Sequence, residues 1–291
     1  RSPKPEARSP KPEARSPKPP MRLFLVDAFA DRPFVGNPAA VAIADMPLPE
    51  PTMQAMAMEM NQAETAFPQP RADGDGYYLR WFTPLAEVAL CGHATLATAH
   101  VLWTEGFSDA PALRFHTRSG VLACERLADG RIAMDFPATP PTVCPPLDGL
   151  TEALGATPVW TGRSRFDVFV RLESAEAVRN LTPNLSALAR LDARGVIVTA
   201  PGDEGFDCVS RFFAPQVGVP EDPVTGSAHC AIAPYWATET GHTTLRAYQA
   251  SPRGGELELE MRGDRVVLRG RAVTVVRGTA AAADLTSRAG G

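Results

Sequence analysis

Arg80-Trp81-Phe82-Thr83-Pro84 followed by Glu87-Val88-Ala89-Leu90-Cys91-Gly92-His93-Ala94 is the stretch that decides the fold, because the chain says it twice. The second statement is Arg211-Phe212-Phe213-Ala214-Pro215 followed by Glu221-Asp222-Pro223-Val224-Thr225-Gly226-Ser227-Ala228. The first blocks lie 131 residues apart and the second blocks 134, so one loop differs by three residues. After each echo comes an apolar stretch of helical length, closed by Glu105-Gly106 and Thr240-Gly241, glycines suited to end a helix. This is the pattern of an internal duplication: two equivalent units, each presenting a strand, a turn and a long central helix.

Working outward, short strands dominate both halves. Arg22 to Phe29 and Ala39 to Ile43 read as strands around a turn-rich Asp31 to Pro38. Tyr77 to Phe82, Val121 to Glu125 and Arg131 to Phe136 complete the first unit. Phe166 to Leu172, Gly195 to Thr199, Asp207 to Phe213, Leu257 to Met261, Arg265 to Leu268 and Ala272 to Arg277 make up the second. Met53, Met56, Ala57 and Met60 recur at helical spacing in Pro51 to Asn61, a stripe suited to core packing. The expected division is an N-terminal unit over 21–140 and a C-terminal unit over 141–279, the last strand pairing back to the first unit, with a frayed end over 280–291.

Residues 1–20 stand apart. They repeat RSPKPEA, RSPKPEA, RSPKPP, hold every lysine of the chain, and are too proline-rich and polar to bury a core. A disordered tail or tag is expected there, with Met21 as the start of the fold. The formal net charge is −4; this segment carries +4, so the remainder carries −8. A body that acidic lacks the basic face of a nucleic-acid binder. No apolar run reaches the roughly 18 residues of a membrane span, and the N-terminus lacks the pattern of a secretory signal. A soluble cytoplasmic protein without a membrane partner is expected. The five cysteines show no C-x-x-C, and the histidines show neither H-E-x-x-H nor ligand spacing to a cysteine, so neither disulfides nor a metal site is expected.

Each echo sets a glycine, Gly92 or Gly226, just before a helix start, where unpaired N–H groups favour an anion such as a carboxylate. The turns carry different chemistry, Cys91 and His93 in one, Asp222, Thr225 and Ser227 in the other, as an asymmetric proton transfer requires. A histidine or serine there also serves as a plain helix cap, and Cys91 as a small buried residue. Glu64 lies among small and apolar neighbours in Asn61 to Phe67, where desolvation is expected to raise its pKa. A solvated loop glutamate has the same sequence.

Val26 to Phe29, Pro33-Phe34-Val35-Gly36-Asn37-Pro38-Ala39-Ala40-Val41, Asn61 to Phe67, Leu90 to Thr95 and Glu221 to His229 resemble, in order, the motifs of the phenazine-biosynthesis PhzF-like family. The resemblance runs from Met21 to about Arg277. It implies the diaminopimelate-epimerase-like α+β fold: two pseudo-symmetric units, each a curled, mainly antiparallel sheet around a central helix, with the site between them. It implies an isomerase that uses no metal or organic cofactor and is often a dimer. Glu64 matches the family's proton-transferring glutamate; His93, Asp222 and Ser227 match its other catalytic positions. Gly92, Gly226, Asn37, Thr225 and Cys91 are the expected substrate contacts, the substrate being a small carboxylate. Related epimerases and racemases use one cysteine at each turn. Here Thr225 stands at the second, which argues against a two-thiol mechanism; a racemase or epimerase using Cys91 with a non-cysteine partner and a non-catalytic binding protein are the alternatives.

Overall fold

The computed structural model describes residues 21–280. The Pro-rich segment 1–20 and residues 281–291 lie outside the described residues; Ala280 donates its N–H to the Met21 carbonyl at 2.8 Å.

The strands form one continuous curled sheet made of two matching runs. The first run is Ala272–Thr279, Arg22–Ala28, Asn37–Ile43, Thr65–Pro70, Tyr77–Phe82, Ala112–Thr117, Gly120–Arg126 and Ile132–Pro137. The second is Thr142–Val143, Trp160–Arg163, Val168–Arg171, Val196–Pro201, Cys208–Ala214, Thr244–Gln249, Gly255–Arg262 and Arg265–Gly270. Parallel and antiparallel pairings follow the same order in both. The runs join where Ile132–Pro137 pairs with Arg265–Gly270, and there Met134 faces Leu268, its own equivalent at the offset of 134. That pairing marks a pseudo-two-fold axis. Each run also borrows its outermost strand from across the axis: Ala272–Thr279 pairs with the first strand, Thr142–Val143 with Trp160–Arg163.

Each run wraps a helix, Gly92–Thr104 or Gly226–Thr240. Both are small-residue and apolar on nearly every face, the pattern of a helix enclosed by its sheet rather than laid upon it. Gly241 ends the second in the left-handed conformation (φ 75°), and Gly106 (φ 74°) follows the first. Pro234 sits inside the second helix and has no N–H to offer the Cys230 carbonyl; the Thr139 N–H takes that acceptor at 2.9 Å. The methionine helix Glu50–Met60 packs Met53, Met56 and Ala57 against Phe67 and Phe82 as core.

The echoed arginine and glutamate have a structural job. Arg80 grips Glu87 through two bonds of 2.7 Å, and Arg211 grips Glu221 at 2.7 and 2.9 Å. Each fork ties a strand end to the short strand, Glu87–Val88 or Val219–Asp222, that leads into the central helix. Thr65–Pro70 is a strand despite its two prolines. It pairs with Asn37–Ile43 only at Thr65 and Ala66, so Pro68 and Pro70 lie where one side needs no donor.

Candidate functional site

The two central helices meet end to end at the axis. A Cβ added to Gly92 or to Gly226 would lie 3.6 Å from the other glycine's Cα. Neither helix start is closed by a side-chain cap, at Cys91 or at Thr225, and neither first turn carries an acid. Two sets of unpaired N–H groups therefore converge at the join, a favourable place for an anion.

Glu64 immediately precedes the strand Thr65–Pro70 and brings its Oε2 to 3.1 Å from His93 Nε2. The two atoms are close but not aligned as a linear hydrogen bond, and Oε2 has no other partner among the described residues. Cys91 Sγ lies 3.5 Å from His93 Nδ1. His93 is 5% exposed. Asn37, wholly buried, connects this group to the other half: its Nδ2 donates to Asp222 Oδ1 at 2.7 Å and to the Val224 carbonyl at 2.9 Å, and faces His93 Nδ1 at 3.2 Å. Thr225 Oγ1 donates to Asp222 Oδ2 at 2.5 Å. Gln249 completes the floor, accepting the Thr225 N–H at 2.8 Å and donating to the Asp222 carbonyl at 2.6 Å.

The charges follow from these neighbours. Burial pushes Glu64 up, but His93 and, less strongly, Cys91 outweigh it and leave Glu64 below the ordinary carboxylate value. That corrects the expectation of a raised pKa: the neighbours of Glu64 in sequence are apolar, while its neighbours in space are an imidazole and a thiol. Burial pulls His93 down, yet Cys91 and Glu64 hold it well above its ordinary value. Burial and the Glu64 charge push the Cys91 thiol up to about 11, so at neutral pH it is protonated and a poor nucleophile. Burial likewise raises Asp222, against His93, Thr225 and Asn37.

Glu64, Cys91 and His93 place oxygen, sulfur and nitrogen donors within 4.8 Å of one another, types that suit a soft divalent cation. Asp222 and the Val224 carbonyl accept both hydrogens of the Asn37 amide and fix which way it points, so the 3.2 Å approach of Nδ2 to His93 Nδ1 has no third hydrogen to fill it.

Among the expected residues, Glu64, Cys91, His93, Asn37, Asp222 and Thr225 form one connected network around Gly92 and Gly226. Ser227 stands aside from it: its Oγ accepts from Arg194 Nη2 at 3.2 Å. His229, in the same motif, bonds through Nδ1 to the Thr225 carbonyl at 2.8 Å and is held down to about 4 by burial, a structural role. Sequence reading missed Gln249, Arg194 and Asp167, which lie outside the motifs.

Fold and site together define an α+β protein with one curled sheet of two matched runs, and an acid–imidazole pair and two bare helix starts at the join. The chain belongs to the phenazine biosynthesis-like protein family (PhzC-PhzF), which it matches over residues 26–278. It is 51% identical over 259 residues to an uncharacterized isomerase of Pseudomonas aeruginosa, covering 89% of this chain and 98% of that one. Identity to an uncharacterized isomerase of Halalkalibacterium halodurans is 46% over 260 residues, covering 88% and 96%. The crystal structure of a PhzF-family phenazine biosynthesis protein from Enterococcus faecalis superposes with a TM-score of 0.86 at 45% identity, covering 90% of this chain and 99% of that one. The fold extends to a hydroxyproline epimerase from Agrobacterium vitis, at a TM-score of 0.57 and 11% identity.

Proposed function

We propose that this protein is an isomerase that shifts a proton on a small, cyclic or unsaturated carboxylate, with Glu64 as both base and acid. The observation that carries the reading is the 3.1 Å approach of Glu64 to His93 beside two uncapped helix starts. The isomerase names of its relatives in Pseudomonas aeruginosa and Halalkalibacterium halodurans support the reaction class. Glu64, ionised at neutral pH, takes a proton from a substrate carbon. The electron pair moves into the unsaturated system, whose negative charge is stabilised by the helix N–H groups. Glu64, now a carboxylic acid, returns the proton to a different carbon. Nothing is gained or lost overall, and every part in the scheme is a side chain or backbone group, so it calls for no cofactor. His93 relays charge to Glu64, and Asp222, through Asn37, sets its ring. Racemisation through Cys91 is disfavoured by the thiol's pKa of about 11 and by Thr225 at the matching position. The proposal includes a homodimer, which light scattering on the purified protein checks, and a cytoplasmic location, which cell fractionation checks.

The test is a thermal-shift screen of small cyclic carboxylates, followed by proton exchange of each hit in D2O. Glu64→Gln is expected to slow exchange by a factor on the order of 10²–10⁴, the worth of a positioned acid–base group. Glu105→Gln, which removes only a surface pairing with Arg277, is expected to leave exchange unchanged. Full exchange in Glu64→Gln refutes the reading.

A further inference from the structure

The duplication pairs residues that no motif connects. Thr65 faces Phe82 in the first half and Val196 faces Phe213 in the second, so these third strands match at an offset of 131. The counterpart of Glu64 is then Gly195, and that of Ala63 is Arg194. On the helices, His93 corresponds to Ser227 at the offset of 134. The contacts correspond as well: Glu64 reaches His93 at 3.1 Å, and Arg194 reaches Ser227 at 3.2 Å. Gly195 has no room for a side chain, since a Cβ there would lie 2.5 Å from the Phe212 ring and 3.1 Å from the Phe213 carbonyl oxygen. The charged group of the second half therefore comes from one residue earlier, and its sign is reversed.

Arg194 is held rigidly. Its Nε and Nη2 donate to the two oxygens of Asp167 at 2.8 and 2.6 Å, and Asp167 is 4% exposed. The guanidinium lies 5.0 Å from the Phe166 ring centre and 5.7 Å from that of Phe212. Its side chain is nevertheless 38% exposed. Nη2 serves both Asp167 and Ser227, while Nη1 has no partner among the described residues. Ser227 Oγ accepts from Arg194 and keeps its own hydrogen to give. We propose that Arg194 Nη1, Ser227 Oγ and the start of the second helix bind the carboxylate of the substrate, and so turn its acidic carbon toward Glu64 and His93. Two quasi-equivalent positions would thus divide the work, one recognising charge and one moving a proton. The substrate class rests on the isomerase reading; the anion site rests on its own geometry.

The probes are cyclohex-1-ene-1-carboxylate and its neutral carboxamide, titrated calorimetrically. Arg194→Gln is made together with Asp167→Asn, so that no buried carboxylate loses its only fork, and the pair is checked for folding by circular dichroism. The wild type is expected to prefer the carboxylate. The double variant is expected to bind it roughly tenfold to a hundredfold more weakly, the worth of one charged hydrogen bond, with amide binding unchanged. A purely structural Asp167–Arg194 pair would lower stability without touching that preference. Glu64→Gln is expected to bind the carboxylate at least as tightly as wild type, so a failure of the proton-transfer reading shows up in exchange and not here. The proposal is overturned if the wild type favours the carboxylate no more than the amide, neither binding at millimolar concentration included. It is also overturned if the folded double variant keeps wild-type carboxylate affinity.

Discussion

Replacing Gly36 with alanine tests how tightly the Gly36-Asn37 turn is held. Gly36 is left-handed (φ 71°), its N–H donates to the Gly254 carbonyl at 2.7 Å, and its own carbonyl accepts from Arg253 Nε at 2.8 Å. A Cβ there would lie 2.2 Å from the Ala28 carbonyl oxygen, 2.9 Å from the Ala30 Cβ and 3.1 Å from the Phe29 carbonyl carbon. Gly74 is the natural control: it has nearly the same φ of 76°, with nothing within 4 Å of an added Cβ. Both substitutions carry the left-handed penalty of about 1–2 kcal/mol. Both recover roughly 0.4–1 kcal/mol from a less disordered unfolded chain. Gly74→Ala should therefore cost about 0.5 kcal/mol net. Gly36→Ala adds an overlap that only backbone can relieve, in the overpacking range of about 1–3 kcal/mol. Its total of about 1.5–3.5 kcal/mol corresponds to a melting temperature lower by about 3–14 °C for a chain of this size. Urea unfolding of the two variants beside wild type measures the difference. Variants that agree within about 0.5 kcal/mol would refute the reasoning, because the backbone overlap would then cost nothing.

Two further outcomes follow from burial. Of the five cysteines only Cys144 is partly accessible, and burial raises Cys91, Cys124, Cys208 and Cys230. A disulfide reagent at pH 8 should titrate one thiol quickly in the native protein and five after denaturation; a fast phase that survives Cys144→Ser contradicts this. His229 is neutral in the fold down to about 4, against an ordinary value of 6.5. Its contribution is present above pH 6.5 and lost as the pH falls through about 4, since the unfolded chain takes up the proton first. The resulting loss is about 3 kcal/mol for a shift of this size, and His229→Gln should flatten that part of the stability profile measured between pH 7 and pH 4.

The echo was legible because it is local. Arg80 and Glu87, or Arg211 and Glu221, meet within one hairpin and must be kept together. The helices announced themselves by length and by their closing glycines. Glu64 and His93 could be picked out through the family motifs, but their charge state could not, because the imidazole that lowers the carboxylate comes from a segment 29 residues away. Arg194 and Asp167 were missed for a related reason. Their partner Ser227 belongs to a motif and they do not, and the three-residue change in offset hides the match of Arg194 to Ala63 until strand register reveals it. Nor could the pattern tell that the two units share one unbroken sheet. Every strand has an ordinary sequence, and only the pairing of Ile132–Pro137 with Arg265–Gly270 joins them.

The exchange of outer strands has a consequence for synthesis on the ribosome. Arg22–Ala28 emerges among the first segments of the fold, while its partner Ala272–Thr279 is made about 250 residues later. At roughly 5–20 residues per second, the nascent first half waits about 10–50 s with an open hydrogen-bonding edge. An open edge is a template for pairing with another chain. The first half thus cannot finish folding as it leaves the exit tunnel, and the emergence of Ala272–Thr279, rather than completion of either half, is the event that closes the molecule.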